Sequence, residues 1–325
     1  MIIERLRALM NRLTDQTVFA DLLAPADRAL EQVRAAAAMG RSLRMSDFVA
    51  LGVLRHLQGT TTLREQVQAL LHLDPSGQDA PPLARSTWSD ALASSTRLSI
   101  LQALLPRLLA EARAVLPDRL AALPGLGERA VFACDGSDQS ESAHFQRKTP
   151  REGGEDNPKG HALLSFYDLR LGVPVDVQVD TRSRHETRLL RDYDAREHAL
   201  TRRRGALWLV DRAFIDAPFW DAKKRALGAT MITRWKSSLV IDSSEGRPIS
   251  DDPVNDGVIS DCEIRLPSSP APWRKIVLRT RRGRTVSFLS NDLQLQPGLL
   301  AFLYSRRWDE EKCFDTWKND FAQAK

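Results

Sequence analysis

Two aspartates stand where buried strands are expected to end. Asp135 follows the apolar run of residues 129–134, and Asp211 follows the apolar run of residues 206–210. Short runs of this kind are typical of buried strands, and neighbouring strand ends of an α/β sheet lie side by side. Carboxylate oxygens are preferred ligands of hard cations such as Mg²⁺. The two aspartates are therefore candidates for metal-dependent chemistry at one sheet edge.

A third acid lies on a helix predicted from Gly298 to about Phe321. Four residues of this helix follow one another at steps of three, four and seven positions: Tyr304, Arg307, Glu311 and Lys318. At about 100° per residue they fall within an arc of about 60°. A neighbouring arc is apolar and contains Leu299, Phe302, Leu303, Phe314, Trp317 and Phe321. The helix is expected to pack by its apolar side, but the spacing alone fits a functional site and a solvated surface equally well.

The pattern Tyr304-x2-Arg307-x3-Glu311-x6-Lys318 matches the signature of the insertion-sequence-four family of DDE transposases. The segment Asp211-Arg212-Ala213-Phe214 resembles the second aspartate motif of that family, with Ala213 in place of the usual glycine. Asp135-Gly136-Ser137 resembles the first motif. The resemblance implies a DNA transposase that cleaves and joins DNA at the ends of an insertion sequence by a cut-and-paste mechanism. Its catalytic carboxylates would be Asp135, Asp211 and Glu311.

The implied chemistry accounts for the three acids. Cutting and joining DNA requires in-line attack of water or a 3′-hydroxyl on a phosphodiester. Two Mg²⁺ ions roughly 3.5 to 4 Å apart can stabilise the attacking and leaving oxygens. Asp135, Asp211 and Glu311 are expected to bind these two ions, for which Mn²⁺ can substitute, and the metal charge makes the clustering of three acids tolerable.

The resemblance also implies contacts with DNA. Tyr304, Arg307 and Lys318 would hold phosphates at the transposon end, and Trp308 would lie near a base flipped out as a terminal hairpin forms. Packing is an equally good interpretation of Trp308. Three further candidate DNA contacts are Arg212, Arg281 and Arg282. The expected partner is double-stranded DNA, both terminal inverted repeats and target, bound by a homodimer that assembles on the DNA.

The charge distribution is compatible with such a partner without proving it. The net charge is +5 and the pI is near 9.3. One stretch is dense in arginine, with Arg182, Arg184, Arg188, Arg191, Arg196, Arg202, Arg203 and Arg204. A second basic stretch contains Arg274, Lys275, Arg279, Arg281, Arg282 and Arg284. Clusters of this density can bind phosphates by releasing counterions, although each also fits a solvated face.

The elements predicted around these residues form an α/β protein. Residues 1–125 show apolar positions at helical spacing and are predicted to be an all-helical domain, for which DNA binding is one of the open interpretations. Within it, Thr62–Leu73 and a helix opened by Ser86 or Thr87 are a candidate helix-turn-helix pair, with plain helix packing as the alternative. Residues 126–235 read as three strands, an Arg-rich helix from Glu186 to Arg204, a strand, a helix and a strand, the order of a ribonuclease-H-like mixed sheet.

The rest of the sequence completes this core. Residues 236–290 are predicted to be a β-rich insertion, which includes strands at 276–280 and 285–289. Residues 291–325 are expected to carry the third acid on the last helix of the core. Relatives usually continue beyond such a helix, so a truncated chain is one expectation.

The composition excludes some classes of protein. No apolar run approaches the roughly 18 residues of a membrane span, and the charged N-terminal residues do not resemble a signal peptide, so a cytoplasmic protein, associated with the nucleoid when on DNA, is expected. The three cysteines lack Cys-x2-Cys spacing, which argues against a disulfide framework and a structural zinc site.

Other acids and other functions remain open. Glu310 is expected to face the apolar arc, and Asp315 is off the family spacing, so both rank below Glu311. His185-Glu186 is a weaker candidate pair, because an isolated histidine is more often structural. Alternatives to a transposase are an inactive or truncated transposon-derived DNA-binding protein, and a ribonuclease-H-like nuclease that does not join strands.

Overall fold

The structure is a computed structural model that describes residues 18–36, 43–46, 48–49, 52, 85–140, 148–150, 156–158, 160–180 and 185–315. The chain divides into two compact units, one of Met1–Val115 with Phe314–Lys325 and the other of Leu116–Cys313. Within the described residues, no helix has the length and apolar character needed to cross a membrane.

The described part of the first unit is mainly helical. Its helices include α1 (Val18–Ala36), α2 (Arg85–Leu92) and α3 (Ser95–Val115). Helices α1 and α3 pack through a small apolar cluster that contains Leu23, Ala26, Leu30, Met45 and Leu104. Residues 62–73, the first half of the predicted helix-turn-helix, lie outside the described residues.

A mixed sheet of nine strands forms the second unit, in the order β5-β4-β1-β6-β7-β11-β10-β9-β8. The strands are β1 (Val131–Ser140), β4 (Gly160–Asp168), β5 (Val173–Asp180), β6 (Leu207–Val210), β7 (Thr230–Arg234), β8 (Ser243–Gly246), β9 (Val258–Arg265), β10 (Trp273–Arg279) and β11 (Thr285–Ser290). Two further short strands, β2 (Lys148–Pro150) and β3 (Asp156–Pro158), pair separately. Strands β1, β6 and β7 are parallel to one another, and the other pairs are antiparallel. The large mixed sheet confirms the α/β class.

In the part of the chain that the structure describes, four α-helices accompany the sheet: α4 (Glu186–Ala195), α5 (Ala217–Leu227), α6 (Pro297–Ser305) and α7 (Trp308–Asp315). Helix α6 is almost entirely buried and shares one core cluster with residues of β1, β6, β7, β10 and β11. Because α6 packs on the sheet, the turn that follows it is placed at the sheet edge.

The β-rich residues after β7 extend the main sheet. Strand β11 pairs with β7, so that Phe288 lies opposite Arg234 and Ser290 opposite Ile232. Strands β10 and β11 confirm the two strands predicted in this region. Pairing with β11 satisfies backbone groups of β7 that an open sheet edge would leave exposed.

Strand β1 is longer than predicted. The sequence suggests a strand that ends at Cys134 and delivers Asp135 into a turn, but β1 continues to Ser140 because it pairs with β4 along its whole length. Only its parallel pairing with β6 stops, at Cys134 and Val210. Asp135 therefore lies where the parallel ladder ends rather than where the strand ends.

Two predicted helices are wrong in extent. The Arg-rich helix ends at Ala195 instead of Arg204, since Glu197 adopts a left-handed conformation with φ of 57° that no α-helix contains. The final helix is interrupted between α6 and α7, where the backbone N–H groups of Arg306 and Arg307 donate to carbonyls three residues earlier. Such tight bonds close a turn of 3₁₀ type. Tyr304 lies before this turn and Glu311 lies after it. The arc of about 60° that was predicted for one continuous helix therefore does not relate these two residues.

Candidate active site

The end of the parallel ladder brings the two aspartates next to each other in the sheet. Cys134 of β1 lies opposite Val210 of β6, and the next residue on each strand is Asp135 or Asp211. Parallel neighbours are spaced by roughly 4.8 Å across the sheet. The Asp135 carboxylate also accepts a hydrogen bond of 2.9 Å from the backbone N–H of Gly136. Two carboxylate residues therefore lie side by side at the C-terminal end of the parallel pairing between β1 and β6.

Arg307 connects Glu311 to this edge. Its Nη1 donates to Oδ2 of Asp135 at 3.0 Å, and its Nη2 donates to Oε1 of Glu311. The Arg307 side chain is only 8% exposed, and the turn between α6 and α7 places it between the two acids. A guanidinium presents several donors in a fixed plane, which suits simultaneous contact with two carboxylates.

The electrostatic setting of Asp135 differs from that of a surface acid. Burial raises the pKa of its carboxyl, and the carboxylates of Glu311 and Asp211 add to that rise, while Arg307 and the Gly136 N–H oppose it. The net pKa of Asp135 is raised. Burial acts against the charge of Arg307, yet Tyr304, Asp135 and Glu311 raise the pKa of the guanidinium, which stays protonated. One fixed cation therefore compensates part of a cluster of acids.

Glu310 is an additional acid at this site. It is fully buried, and neither of its carboxylate oxygens makes a hydrogen bond of ordinary geometry with the described residues. The side chain of Ser165 and the backbone of Asp135 are polar groups near it. Burial, and secondarily the charge of Asp135, raises the pKa of Glu310 well above its ordinary value. The burial agrees with the predicted apolar face, but the proximity to Asp135 is not visible in helical spacing.

Glycine at position 136 permits close packing beside Asp135. A Cβ atom there would lie 2.5 Å from Cγ of Glu186, the first residue of α4. The preceding residue, His185, caps α4, because its Nδ1 accepts a hydrogen bond from the backbone N–H of Thr187. The observed contact of His185 is therefore structural.

The predicted DNA contacts of the last helix occupy different environments. Tyr304 is 4% exposed and packs its ring against Phe288, with a centroid distance of 5.4 Å. Trp308, in contrast, is 60% exposed. Lys318 lies outside the described residues. Tyr304 and Arg307 thus contact protein groups in this structure, whereas Trp308 offers an open aromatic face.

Arg212, Arg281 and Arg282 are all exposed. Arg212 begins a short 3₁₀ helix immediately after Asp211. Arg281 and Arg282 lie in the turn between β10 and β11. Phe288 lies opposite Arg234, the last residue of β7, and β11 runs antiparallel to β7. The start of β11, and with it this turn, therefore lies beyond the C-terminal ends of the parallel strands, where the aspartates are. The basic cluster of this region is divided, however, because Arg274 is buried in an ion pair with Asp261.

The donor set fits a hard divalent cation in its chemistry. Asp135, Asp211 and Glu311 offer carboxylate oxygens, the ligand type that Mg²⁺ prefers. Among the described residues, no three acidic, histidine or cysteine side chains are arranged closely enough to hold a metal ion. In this arrangement the Arg307 guanidinium supplies the positive charge between Asp135 and Glu311.

Comparison with known proteins adds independent information. Residues 127–325, more than half of the chain, match the profile of the family described as "Transposase DDE domain". Over 119 residues the chain is 31% identical to "Putative transposase y4zB" of Sinorhizobium fredii (strain NBRC 101917 / NGR234). That alignment covers 34% of this chain and 32% of the relative, so this chain spans less than a third of the relative's length.

A structural match is more distant. The cryo-EM structure of a piggyBac transposase synaptic complex with hairpin DNA aligns with a TM-score of 0.42 and 11% sequence identity. The alignment covers 96% of this chain and 68% of that chain. A similarity of this size does not specify a common fold.

Proposed function

We propose a function for this chain, which belongs to the transposase DDE domain family: it cuts and joins DNA at the ends of an insertion sequence by a cut-and-paste mechanism. We further propose that it belongs to the insertion-sequence-four branch, on the basis of the signature formed by Tyr304, Arg307, Glu311 and Lys318. The observation that carries the proposal is the arrangement of the acids. Asp135 and Asp211 follow paired positions of two parallel strands, and Arg307 binds both Asp135 and Glu311.

Asp135, Asp211 and Glu311 are proposed as the catalytic carboxylates of a ribonuclease-H-like core, holding Mg²⁺, with Mn²⁺ able to substitute. When bound, two such ions stabilise the attacking and leaving oxygens of an in-line phosphodiester displacement. The strand-borne aspartates are held by the sheet, and Glu311 is held by the turn after α6 and by Arg307. Because no three acids among the described residues lie close enough together to hold a metal ion, the ions and the DNA would have to complete this arrangement when they bind.

Arg307 has a second role in this proposal. In the described structure its donors are used by Asp135 and Glu311. Once a cation neutralises those acids, the guanidinium becomes available to a DNA phosphate, for which its geometry is equally suited. Tyr304 would then act mainly by supporting Arg307, since its ring is buried and lies 5.6 Å from the guanidinium carbon.

DNA is proposed to lie along the edge of the sheet that carries the acids. Arg212, Arg281 and Arg282 are exposed on this side, and the open ring of Trp308 suits stacking with an unpaired base. The partner would be double-stranded DNA at the inverted repeats and the target, with two copies of the chain assembled on it, in the cytoplasm at the nucleoid. Residues 1–125 would form a helical DNA-binding part, 126–235 and 291–325 the core, and 236–290 the β-rich insertion.

A test of the function separates binding from cutting. The substrate is a plasmid that carries the gene with its native flanking DNA, and gel-shift affinity is measured beside nicking, hairpin and strand-transfer yields. Asp135→Ala, Asp211→Ala and Glu311→Ala should retain DNA binding but lose nicking in Mg²⁺ by at least about a hundredfold, because a lost metal ligand acts on the transition state. Lys318→Ala should chiefly weaken binding of the ends.

The outcomes distinguish the alternatives. Cleavage by the unaltered protein without strand transfer would indicate a nuclease. Binding without cleavage would indicate a DNA-binding protein that lacks turnover. Glu245→Gln, at an exposed acid of β8, is a matched control and should leave every yield unchanged.

A further inference from the structure

A large open cleft lies at the N-terminal ends of the parallel strands, whereas the aspartates lie at the C-terminal ends of these strands. Its walls include residues just before the three parallel strands: Ala130 before β1, Gly205 before β6 and Gly228 before β7. Its volume is about 1050 Å³. Because these strands run away from the cleft toward Asp135 and Asp211, the cleft and the acids occupy opposite ends of the same strands. At roughly 3.3 Å per residue, five to six residues separate them by roughly 15–20 Å.

Positive charge dominates the walls of this cleft. Five cationic residues line it, against the two acids Glu128 and Asp292; the cationic residues are Arg129, Arg202, Arg203, Arg204 and Lys224. Two of these cations serve the fold. Arg129 binds Asp292, and Lys224 donates to the backbone carbonyl of Asn291. The remaining cations come from one consecutive run of three arginines.

The arginine run is exposed to solvent. Arg202 pairs with Glu197 at 3.1 Å, a contact that is itself largely exposed. Arg203 and Arg204 are exposed and make no side-chain hydrogen bond or ion pair within the described part of the chain. Their position depends on the early end of α4: a helix continued to residue 204 would have distributed these three side chains around its axis. In the observed turns they border one cleft instead.

We propose that this cleft, through Arg203 and Arg204, binds the phosphate backbone of a stretch of duplex DNA other than the stretch at the acids. Unpaired arginines at an open surface suit phosphates, which they bind through several donors while counterions are released. The wide, open shape fits an extended polyanion better than a small enclosed ligand. The inference takes DNA as the partner from the proposed function and adds a second contact on the opposite edge.

The test is the affinity of the full chain for a random duplex of about 40 base pairs, measured across a range of salt concentrations. Arg203→Glu combined with Arg204→Glu should weaken binding roughly tenfold or more at low salt. It should also reduce the slope of log affinity against log salt by about 1 to 2, since each phosphate contact contributes roughly 0.9. Thermal unfolding should be unchanged, because both side chains are exposed.

The control is Arg225→Glu combined with Arg265→Glu, which changes the net charge equally at exposed positions that do not line the cleft. It should have a clearly smaller effect on affinity and slope. Equal losses of DNA affinity in both double variants would show that only the overall charge matters and would overturn the inference. An unchanged DNA affinity of the Arg203 and Arg204 double variant would overturn it as well. An unaltered protein that binds no duplex at all would overturn the proposed function together with the inference.

Discussion

At the scale of single residues, Arg307 supplies the positive charge between two acids of the candidate site. It is the cation that contacts both Asp135 and Glu311, and it is nearly buried while it does so. Without it, two carboxylates would face each other in a partly buried setting, which is unfavourable unless another cation takes its place. This gives Arg307 a measurable role even in the absence of DNA.

Arg307→Met is therefore expected to lower the free energy of unfolding by roughly 2–4 kcal/mol, because one partner of a largely buried ion-pair network is lost. Added Mg²⁺ should restore more stability to this variant than to the unaltered protein, since the freed carboxylates can bind it. Urea unfolding with and without Mg²⁺ measures both effects.

Arg306→Met is the matched control for that prediction. Arg306 pairs with Asp309 at 2.7 Å but is 40% exposed, and exposed pairs contribute less than about 1 kcal/mol. Loss of stability in the Arg307 variant that Mg²⁺ does not recover would contradict the view that the guanidinium and the metal serve the same acids.

The sequence predicted one contact of this candidate site but not the others. The spacing of Arg307 and Glu311 indicated a shared location, and the two are in contact. The burial of Arg307 against Asp135, and of Glu310 beside the same aspartate, depends on tertiary packing between residues far apart in the sequence. Two adjacent helical acids lie about 100° apart around the axis and can both face solvent, so the Glu310-Glu311 pair alone did not indicate that Glu310 is buried.

At the scale of elements, the strands were predictable because apolar runs mark them. The runs before Asp135 and Asp211 correspond to β1 and β6. The continuation of β1 through Asp135 was not predictable, since it rests on pairing with β4 and not on apolar residues. Likewise, helix propensity could not reveal that α4 ends at Ala195 or that a turn divides α6 from α7, because tertiary contacts override propensity at such points.

One ion pair joins separate elements of the sheet. Arg129, just before β1, binds Asp292, just after β11, at 2.5 Å, and Asp292 also accepts hydrogen bonds from the N–H groups of Gln294 and Leu295. Burial alone would raise the pKa of Asp292, but Arg129 and these N–H groups outweigh it, so the net pKa is lowered. The ionised carboxylate is thus favoured in the folded state.

Asp292→Ala should accordingly cost roughly 3 kcal/mol of unfolding free energy near pH 7, since Arg129 loses its buried partner. The pKa of Asp292 is lower in the folded protein than its ordinary value of about 4. The stabilisation that depends on its charge is therefore fully present above about pH 4. It is lost as the pH falls from there through the lower pKa of the folded state. Urea unfolding at neutral and acidic pH should therefore show a difference between the two proteins that narrows with acidification.

Asp251→Ala removes an exposed acid and serves as the control, with little expected effect at either pH. A constant difference between Asp292→Ala and the unaltered protein across the acidic range would show that the carboxylate charge is not the stabilising feature.

At the scale of the whole second unit, the two proposed sites lie at opposite ends of the parallel strands. The C-terminal ends of the parallel strands carry the acids, with Arg281 and Arg282 beyond the same edge. The N-terminal ends border the cleft with Arg203 and Arg204. The mixed α/β class was predicted from the sequence, whereas this division could not be predicted, because it depends on which strands are parallel.

The proposed binding of the catalytic metal by Asp135, Asp211 and Glu311 is tested by a change of ligand atom. Asp135→Cys, Asp211→Cys and Glu311→Cys are assayed for nicking of the plasmid with native flanks in Mg²⁺ and in Mn²⁺. A thiolate is a poor ligand for hard Mg²⁺ and a better one for the softer Mn²⁺. Each variant should be inactive in Mg²⁺ and regain part of its nicking in Mn²⁺, with DNA affinity unchanged. Nicking at the unaltered rate in Mg²⁺, or no recovery in Mn²⁺ by any of the three, would contradict the assignment.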